Sequence, residues 1–311
     1  MASDKPGLLL FTSNMDRMCE PIAQRFDLLR LWSESDAIRE RGAKVVAILT
    51  SGKDRIDAAL LERLPQLRLV VAVGAGYEGV DVAAARRRGI TVANAGDTHS
   101  GDVADHAVAL TLAVTQGILS NDAWVRSGTW QTRGYPPNRR ALSAERFGIL
   151  GLGRIGRAIA NRLAPFGAQI GWWGPTDRPA EWPRHQSAPA LAAWCTTLIV
   201  AARGDAVALV DRQVIDAVGR DGYIINVARG QVIDEDALIA ALREGRLGGA
   251  GLDVFRDEPA APGRWADVPN VVLSPHVAGL TVQAMARLRD TAVRNLQTAL
   301  DGGAVVNEIL S

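Results

Sequence analysis

The chain has 311 residues, 48% of them apolar and 22% charged, with a formal net charge of +1. That length suits two domains and that balance excludes a disordered or fibrous chain. It also leaves no overall field to draw the protein to nucleic acid or an anionic membrane.

Met1–Gly7 is short and polar and lacks the pattern of a secretory leader. No apolar run approaches the ~20 residues that a spanning helix needs, so a cytoplasmic location is the expectation. Cys19 and Cys195 lie far apart without CxxC spacing, which argues against a disulfide framework or a structural zinc site; no metal is expected. Leu8–Phe11 reads as the first buried strand, followed by Val45–Leu49, Leu69–Val73 and Ile90–Ala93. Asp57–Leu64 and Val82–Arg88 carry helical spacing between them, and Arg86, Arg87 and Arg88 read as the solvated C-terminal end of the second. Strands alternating with short helices predict βαβ units and a parallel sheet over roughly the first 98 residues.

Asp102–Leu119 then reads as one long helix, and Ser127–Ser143, with Gly134, Pro136 and Pro137, as a loop that is either a surface connection or a contact arm. A second alternation places strands at Phe147–Leu150, Gln169–Trp173, Leu198–Ala201, Tyr223–Val227, Gly251–Val254 and Val271–Leu273, the number a dinucleotide-binding sheet uses. Thr281–Leu300 is a final amphipathic helix. The expected fold class is α/β: two doubly wound parallel-sheet domains, Rossmann or flavodoxin-like, with a cleft between them. Residues 1–98 plus 281–311 form the substrate domain of that reading and residues 99–280 the dinucleotide-binding domain.

Phe147–Leu150 runs into Gly151-Leu152-Gly153-Arg154-Ile155-Gly156, and Arg157–Ala164 follows as a helix. Gly151 permits a tight turn, Gly153 lets a pyrophosphate approach the backbone, and Gly156 lets helix and strand pack closely. The phosphates then face unpaired N–H groups at the helix start. The next strand, Gln169–Trp173, ends not on the acid that holds a ribose 2′-hydroxyl but on Gly174, Pro175 and Thr176. With no carboxylate to repel a 2′-phosphate, and with Arg178 or Arg203 to neutralise it, NADP(H) is favoured; Asp177 keeps NAD(H) open.

Arg229, Glu258 and His276 each follow a strand of the second alternation, at the edge where open α/β sheets bind ligands. Reduction of a 2-keto acid needs a proton donor for the developing alkoxide and a cation for the carboxylate. Histidine titrates near neutral pH, and a neighbouring glutamate orients its ring. Arginine engages a carboxylate through two N–H groups. His99, His106 and His185 show no metal spacing, and His106 reads as a packed helix residue beside Asp105.

Together with Val73-Gly74-Ala75-Gly76-Tyr77, Val103-Ala104-Asp105-His106, Asn226-Val227-Ala228-Arg229-Gly230, Leu252-Asp253-Val254-Phe255, Glu258-Pro259 and Pro275-His276, these motifs resemble the D-isomer-specific 2-hydroxyacid dehydrogenase family, in its glyoxylate/hydroxypyruvate reductase branch. The resemblance implies that Arg229, Glu258 and His276 are catalytic, with His276 as acid/base, Glu258 its partner, and Arg229 on the substrate. It implies that backbone N–H groups of Val73, Gly74, Ala75 and Gly76 hold the substrate carboxylate across the cleft, that Arg154 and Ile155 with the three glycines contact cofactor, and that Asp253 meets the nicotinamide carboxamide. It implies a homodimer joined through the nucleotide domain, with the Asp102–Leu119 helix and the Ser127–Ser143 stretch at the contact. A reductase of a larger acid such as 2-ketogluconate, and a non-catalytic NAD(P)-sensing protein, are the competing readings.

Overall fold

A computed structural model of the chain describes residues 5–34, 36–202 and 206–310. It divides into two compact units, Met1–His99 with Val282–Ser311, and Ser100–Thr281.

The first unit runs β1 (Gly7–Leu10), α1 (Asn14–Cys19), β2 (Asp27–Arg30), α2 (Ala37–Arg41), β3 (Val45–Thr50), α3 (Ala58–Glu62), β4 (Leu69–Ala72), α4 (Val82–Arg87) and β5 (Thr91–Ala93). Its strands are all parallel in the order β2-β1-β3-β4-β5, the flavodoxin-like winding. Alternate residues of a strand feed opposite faces: Leu8 and Leu10 join one apolar layer, and Leu9 joins the other. Aspartates start two of the helices by accepting the orphan N–H three residues on, Asp57 from Leu60 at 3.0 Å and Asp81 from Ala84 at 2.8 Å. Strand β2 is absent from the expectation above. It is an edge strand flanked by Asp27 and Arg30 in which Leu29 alone is fully buried, too weak an apolar run to stand out.

The second unit runs α5 (Ser100–Thr115), α6 (Ile118–Arg126), α7 (Thr129–Arg133), β6 (Arg146–Leu150), α8 (Arg154–Leu163), β7 (Gln169–Trp173), α9 (Ala188–Trp194), β8 (Thr197–Val200), α10 (Arg212–Val218), β9 (Tyr223–Asn226), α11 (Glu235–Arg243), β10 (Gly249–Leu252) and β11 (Val271–Leu273). The six strands are parallel, in the order β7-β6-β8-β9-β10-β11. Chain direction across the sheet reverses between β6 and β8, so the loops that leave those strands part and open a crevice at their carboxyl ends. The single helix expected over 102–119 is two. Gly117 takes φ +60, and the Arg139 guanidinium fills the space where a Cβ would stand. The stretch read as a loop over 127–143 contains α7 and runs into a 3-10 turn, Leu142–Ala144. Helices α6 and α7 bury no residue fully and leave Ile118, Leu119, Val125, Trp130 and Tyr135 exposed with the loop that follows.

The chain returns to the first unit as α12 (Val282–Asp301), which buries Leu288, Ala292, Leu296 and Ala299 at helical spacing in the layer that holds Leu8 and Leu10. Among the described residues no single helix is long and apolar enough to cross a membrane.

Candidate active site

In the second unit the Gly151–Gly156 turn has the shape its sequence demands. Gly151 stands at φ +99, and a Cβ there would lie 2.8 Å from the backbone of Ala201 and Ala202. A Cβ on Gly156 would collide with the carbonyl of Gly151, which is how closely α8 approaches β6. At Gly153 a Cβ would meet nothing within 4 Å. Gly153 is also the N-cap of α8 and offers no side chain to its first N–H groups. Leu152 is buried, Ile155 half-buried in the core, and Arg154 exposed. The helix begins at Arg154, three residues before the expected start, so its open N–H groups lie directly on the turn. An uncapped helix start beside open space suits a pyrophosphate.

At the carboxyl end of β7, Gly174 is buried and its carbonyl accepts from Arg184 Nη2 at 2.7 Å. The Arg184 guanidinium stands over the Trp172 ring, 5.6 Å from its centroid, and its Nη1 lies 3.8 Å from Asp177 Oδ1. Thr176, Asp177 and Arg178 are exposed. Arg203 lies outside the described residues. Arg184 was not legible in the sequence: it comes ten residues after Gly174 in an irregular segment, with no motif around it. A parallel bridge between Trp172 and Arg184 brings it back to the strand.

Three strand ends deliver the polar trio. After β9, Asn226 shapes the turn by accepting from Ala228 N at 3.0 Å and donating Nδ2 to Arg229 O at 3.1 Å. Arg229 Nη1 donates to Ala228 O at 2.8 Å. Gly230 presses on the segment after β10 so closely that a Cβ would collide with the Phe255 backbone. Three residues on from Phe255, Glu258 Oε1 accepts from Phe255 N at 3.2 Å. His276 follows β11, and its Nδ1 lies 2.7 and 2.9 Å from the two Glu258 oxygens. A carboxylate only accepts, so Nδ1 carries the proton of that bond. Nε2 is the ring nitrogen that this bond does not use.

Asp253, expected at the nicotinamide, has a side chain only 1% exposed. Its oxygens accept from Ser274 Oγ, Val277 N and Ala278 N. Burial alone would raise its pKa, but the nearby His106 and the hydrogen bonds from Ser274, Val277 and Ala278 prevail and hold it below its ordinary value. His106, read as a packed helix residue, takes part in this cluster through Ser274.

In the first unit the turn after β4 is tied by its carbonyls: Gly74 O accepts from Ala95 N at 2.9 Å, and Ala75 O from Asn94 Nδ2 at 2.7 Å. Val73 departs from the expectation, since its N–H continues the ladder to Thr50 O at 2.9 Å and is not available to a ligand. Among the described residues the N–H groups of Gly74, Ala75 and Gly76 take no backbone acceptor.

A family model described as "D-isomer specific 2-hydroxyacid dehydrogenase, NAD binding domain" matches residues 108–278. The chain is 36% identical to a 2-ketogluconate reductase of Gluconobacter oxydans, over 94% of this chain and 95% of that one. It is 34% identical to glyoxylate/hydroxypyruvate reductase A HPR2 of Arabidopsis thaliana, over 98% and 99%. A solved NADPH-dependent glyoxylate/hydroxypyruvate reductase from Sinorhizobium meliloti, in complex with NADP and malonate, superposes with a TM-score of 0.88 at 33% identity, covering 99% of this chain and 97% of that one.

Proposed function

The chain belongs to the D-isomer-specific 2-hydroxyacid dehydrogenase family, and from that premise we propose that it uses NADPH to reduce a small 2-keto acid, glyoxylate or hydroxypyruvate, to the D-2-hydroxy acid. The observation that carries this reading is the bond from His276 Nδ1 to Glu258. It fixes the ring's orientation and leaves Nε2–H to protonate the oxygen on which charge develops. Glu258 offsets the positive charge of the protonated ring. Arg229 binds the substrate's carboxylate or keto oxygen and draws electron density from the carbonyl carbon. The N–H groups of Gly74, Ala75 and Gly76 are assigned to the carboxylate. Bound at the Gly151–Gly156 turn, the reduced nicotinamide supplies the hydride.

Preference for NADPH over NADH is supported by the end of β7. Its carboxylate, Asp177, lies 3.8 Å from the Arg184 guanidinium, the cation that a 2′-phosphate would meet there, and the exposed Arg178 follows it in the chain. The Gluconobacter relative supports a second reading, the same chemistry on the larger 2-ketogluconate. The exposed apolar residues of α6, α7 and the loop after them support a homodimer, and the ordinary soluble composition a cytoplasmic location.

Initial rates of NADPH and NADH oxidation with hydroxypyruvate, glyoxylate and 2-ketogluconate test the proposal. Turnover fastest with NADPH and either small acid is expected. Activity confined to 2-ketogluconate transfers the assignment to the second reading. Tight NADPH binding with no turnover of any acid overturns both in favour of a cofactor-sensing protein. His276→Ala lowers kcat by more than about 100-fold if its ring is the proton donor, with NADPH affinity retained.

A further inference from the structure

His276 stands at φ +55, in the left-handed region that residues bearing a Cβ seldom enter and that persists only where the surroundings over-determine it. The surroundings here converge on one buried carboxylate. Asp253 Oδ1 accepts from Val277 N at 2.9 Å and Ser274 Oγ at 2.6 Å, and Oδ2 accepts from Ala278 N at 2.9 Å. The N–H of His276 donates to Ser274 O at 3.1 Å. The peptide plane before His276 is thus tied to Ser274 and the plane after it to Asp253, and these two planes define its φ and ψ.

From α5, His106 Nε2 reaches Ser274 Oγ at 2.8 Å and lies 3.4 Å from Asp253 Oδ1. Counting protons fixes the direction of this chain. The carboxylate only accepts, so the one hydroxyl proton of Ser274 goes to Asp253, and His106 Nε2–H donates to Ser274 Oγ. Each of these three side chains therefore holds the next, and the last holds the backbone of His276.

We propose that His106, Ser274 and Asp253 are positioning residues: a relay of hydrogen bonds that keeps His276 in its left-handed conformation, so that its ring meets both Glu258 and the reacting oxygen. The inference rests on the acid/base reading of His276. It gives Asp253 an action through His276 beside the contact with the nicotinamide carboxamide that the family resemblance implies.

The test uses the full chain with His106→Leu, His106→Gln, Ser274→Ala, Asp253→Asn and His276→Ala. The readouts are kcat and KM for hydroxypyruvate, NADPH Kd by fluorescence, thermal melts, and ¹⁵N-histidine NMR of the cofactor-free protein. There are four histidines, so the His276 ring signals are traceable through the His276→Ala spectrum. His106→Leu and Ser274→Ala are expected to lower kcat about tenfold, the lower end for loss of an outer-shell partner, with NADPH Kd within about twofold of the parent, and to shift the His276 signals. His106→Gln keeps an N–H donor and is expected to restore both. Asp253→Asn is expected to lower kcat by about 100-fold if it folds.

Parental kcat and unmoved His276 signals in both His106→Leu and Ser274→Ala overturn the proposal. So does an Asp253→Asn protein that binds NADPH weakly but keeps its kcat, the signature of direct cofactor contact alone. Parental turnover in His276→Ala sinks the acid/base reading itself, and the NMR comparison of His106→Leu with His106→Gln then decides alone whether the relay holds the loop.

Discussion

Two glycine-rich turns follow β4 and β6, one in each unit, and they are built to different ends. The sheets that carry them begin alike, in the order 2-1-3-4-5 counted within each unit, but β4 is the fourth strand of its unit and β6 the first of its own. After β6 the chain enters α8 at once, and Gly156 packs that helix on the carbonyl of Gly151. After β4 five residues beyond Gly76 separate the turn from α4, whose own N-cap, Asp81, already accepts the N–H of Ala84 in the first turn. One turn thus adds a helix start to its backbone donors and suits a pyrophosphate. The other offers three peptide N–H groups alone and suits a single carboxylate. On the proposed reading, the place where the helix begins is what separates the two anions, since the sheets and the glycine content are similar.

The largest effect is expected at Gly156. Gly156→Val drives a side chain into the Gly151 carbonyl; NADPH affinity is expected to fall by more than about 100-fold and stability by ~1–3 kcal/mol, read by fluorescence titration and denaturant melts. An effect confined to the keto acid would contradict the assignment of the two turns. The counterpart in the first unit is Gly52, at φ +86, where a Cβ would collide with the carbonyl of Gly76. Gly52→Ala is expected to raise KM for the keto acid about tenfold while NADPH Kd stays at the parental value, at a strain cost of ~1–3 kcal/mol.

A smaller effect sharpens the cofactor side. Arg184→Ala removes the donor to Gly174 O and the cation beside Asp177. The ratio of kcat/KM for NADPH over NADH is expected to fall about five- to tenfold, and an unchanged ratio would clear Arg184 of any part in the preference.

The smallest effect concerns the two thiols, one in each unit. Burial pushes Cys19 from its ordinary 9.0 up to about 11 and Cys195 up to about 12. Neither is expected to react with iodoacetamide at pH 8 before unfolding. Both folded values lie above the unfolded one, so their contribution to stability is whole below pH 9.0 and declines as pH rises towards 11 and 12. Melts between pH 8 and 11 should show that decline, and rapid labelling of either folded thiol at pH 8 would refute the burial.

Much of the fold was legible because its strands are short, fully buried apolar runs between turn residues. The apolar side chains of Leu8–Leu10, Val45–Leu49, Leu69–Ala72 and Phe147–Leu150 all have relative exposures of 6% or less, and buried parallel strands advertise themselves in this way. The Gly151–Gly156 spacing was legible because each glycine answers a separate steric demand. Arg229, Glu258 and His276 stood out as polar residues just past strand ends, and the structure brings Glu258 and His276 into hydrogen bonding. Strand β2 was hidden by its charged flanks, and the break at Gly117 by the helical pattern on either side of it.

The alternation of strands and helices, the turn that suits a dinucleotide, and the histidine and glutamate proposed as the acid/base pair could all be read along the chain, because backbone sterics and burial leave local, periodic marks. Only the tertiary structure decided that Val73 spends its N–H on a neighbouring strand, that Arg184 returns to the end of β7, and that His106 supports Ser274 across 168 residues of chain. Those are hydrogen bonds between groups distant in sequence. Their geometry depends on how strands and helices pack, and no spacing along the chain records it.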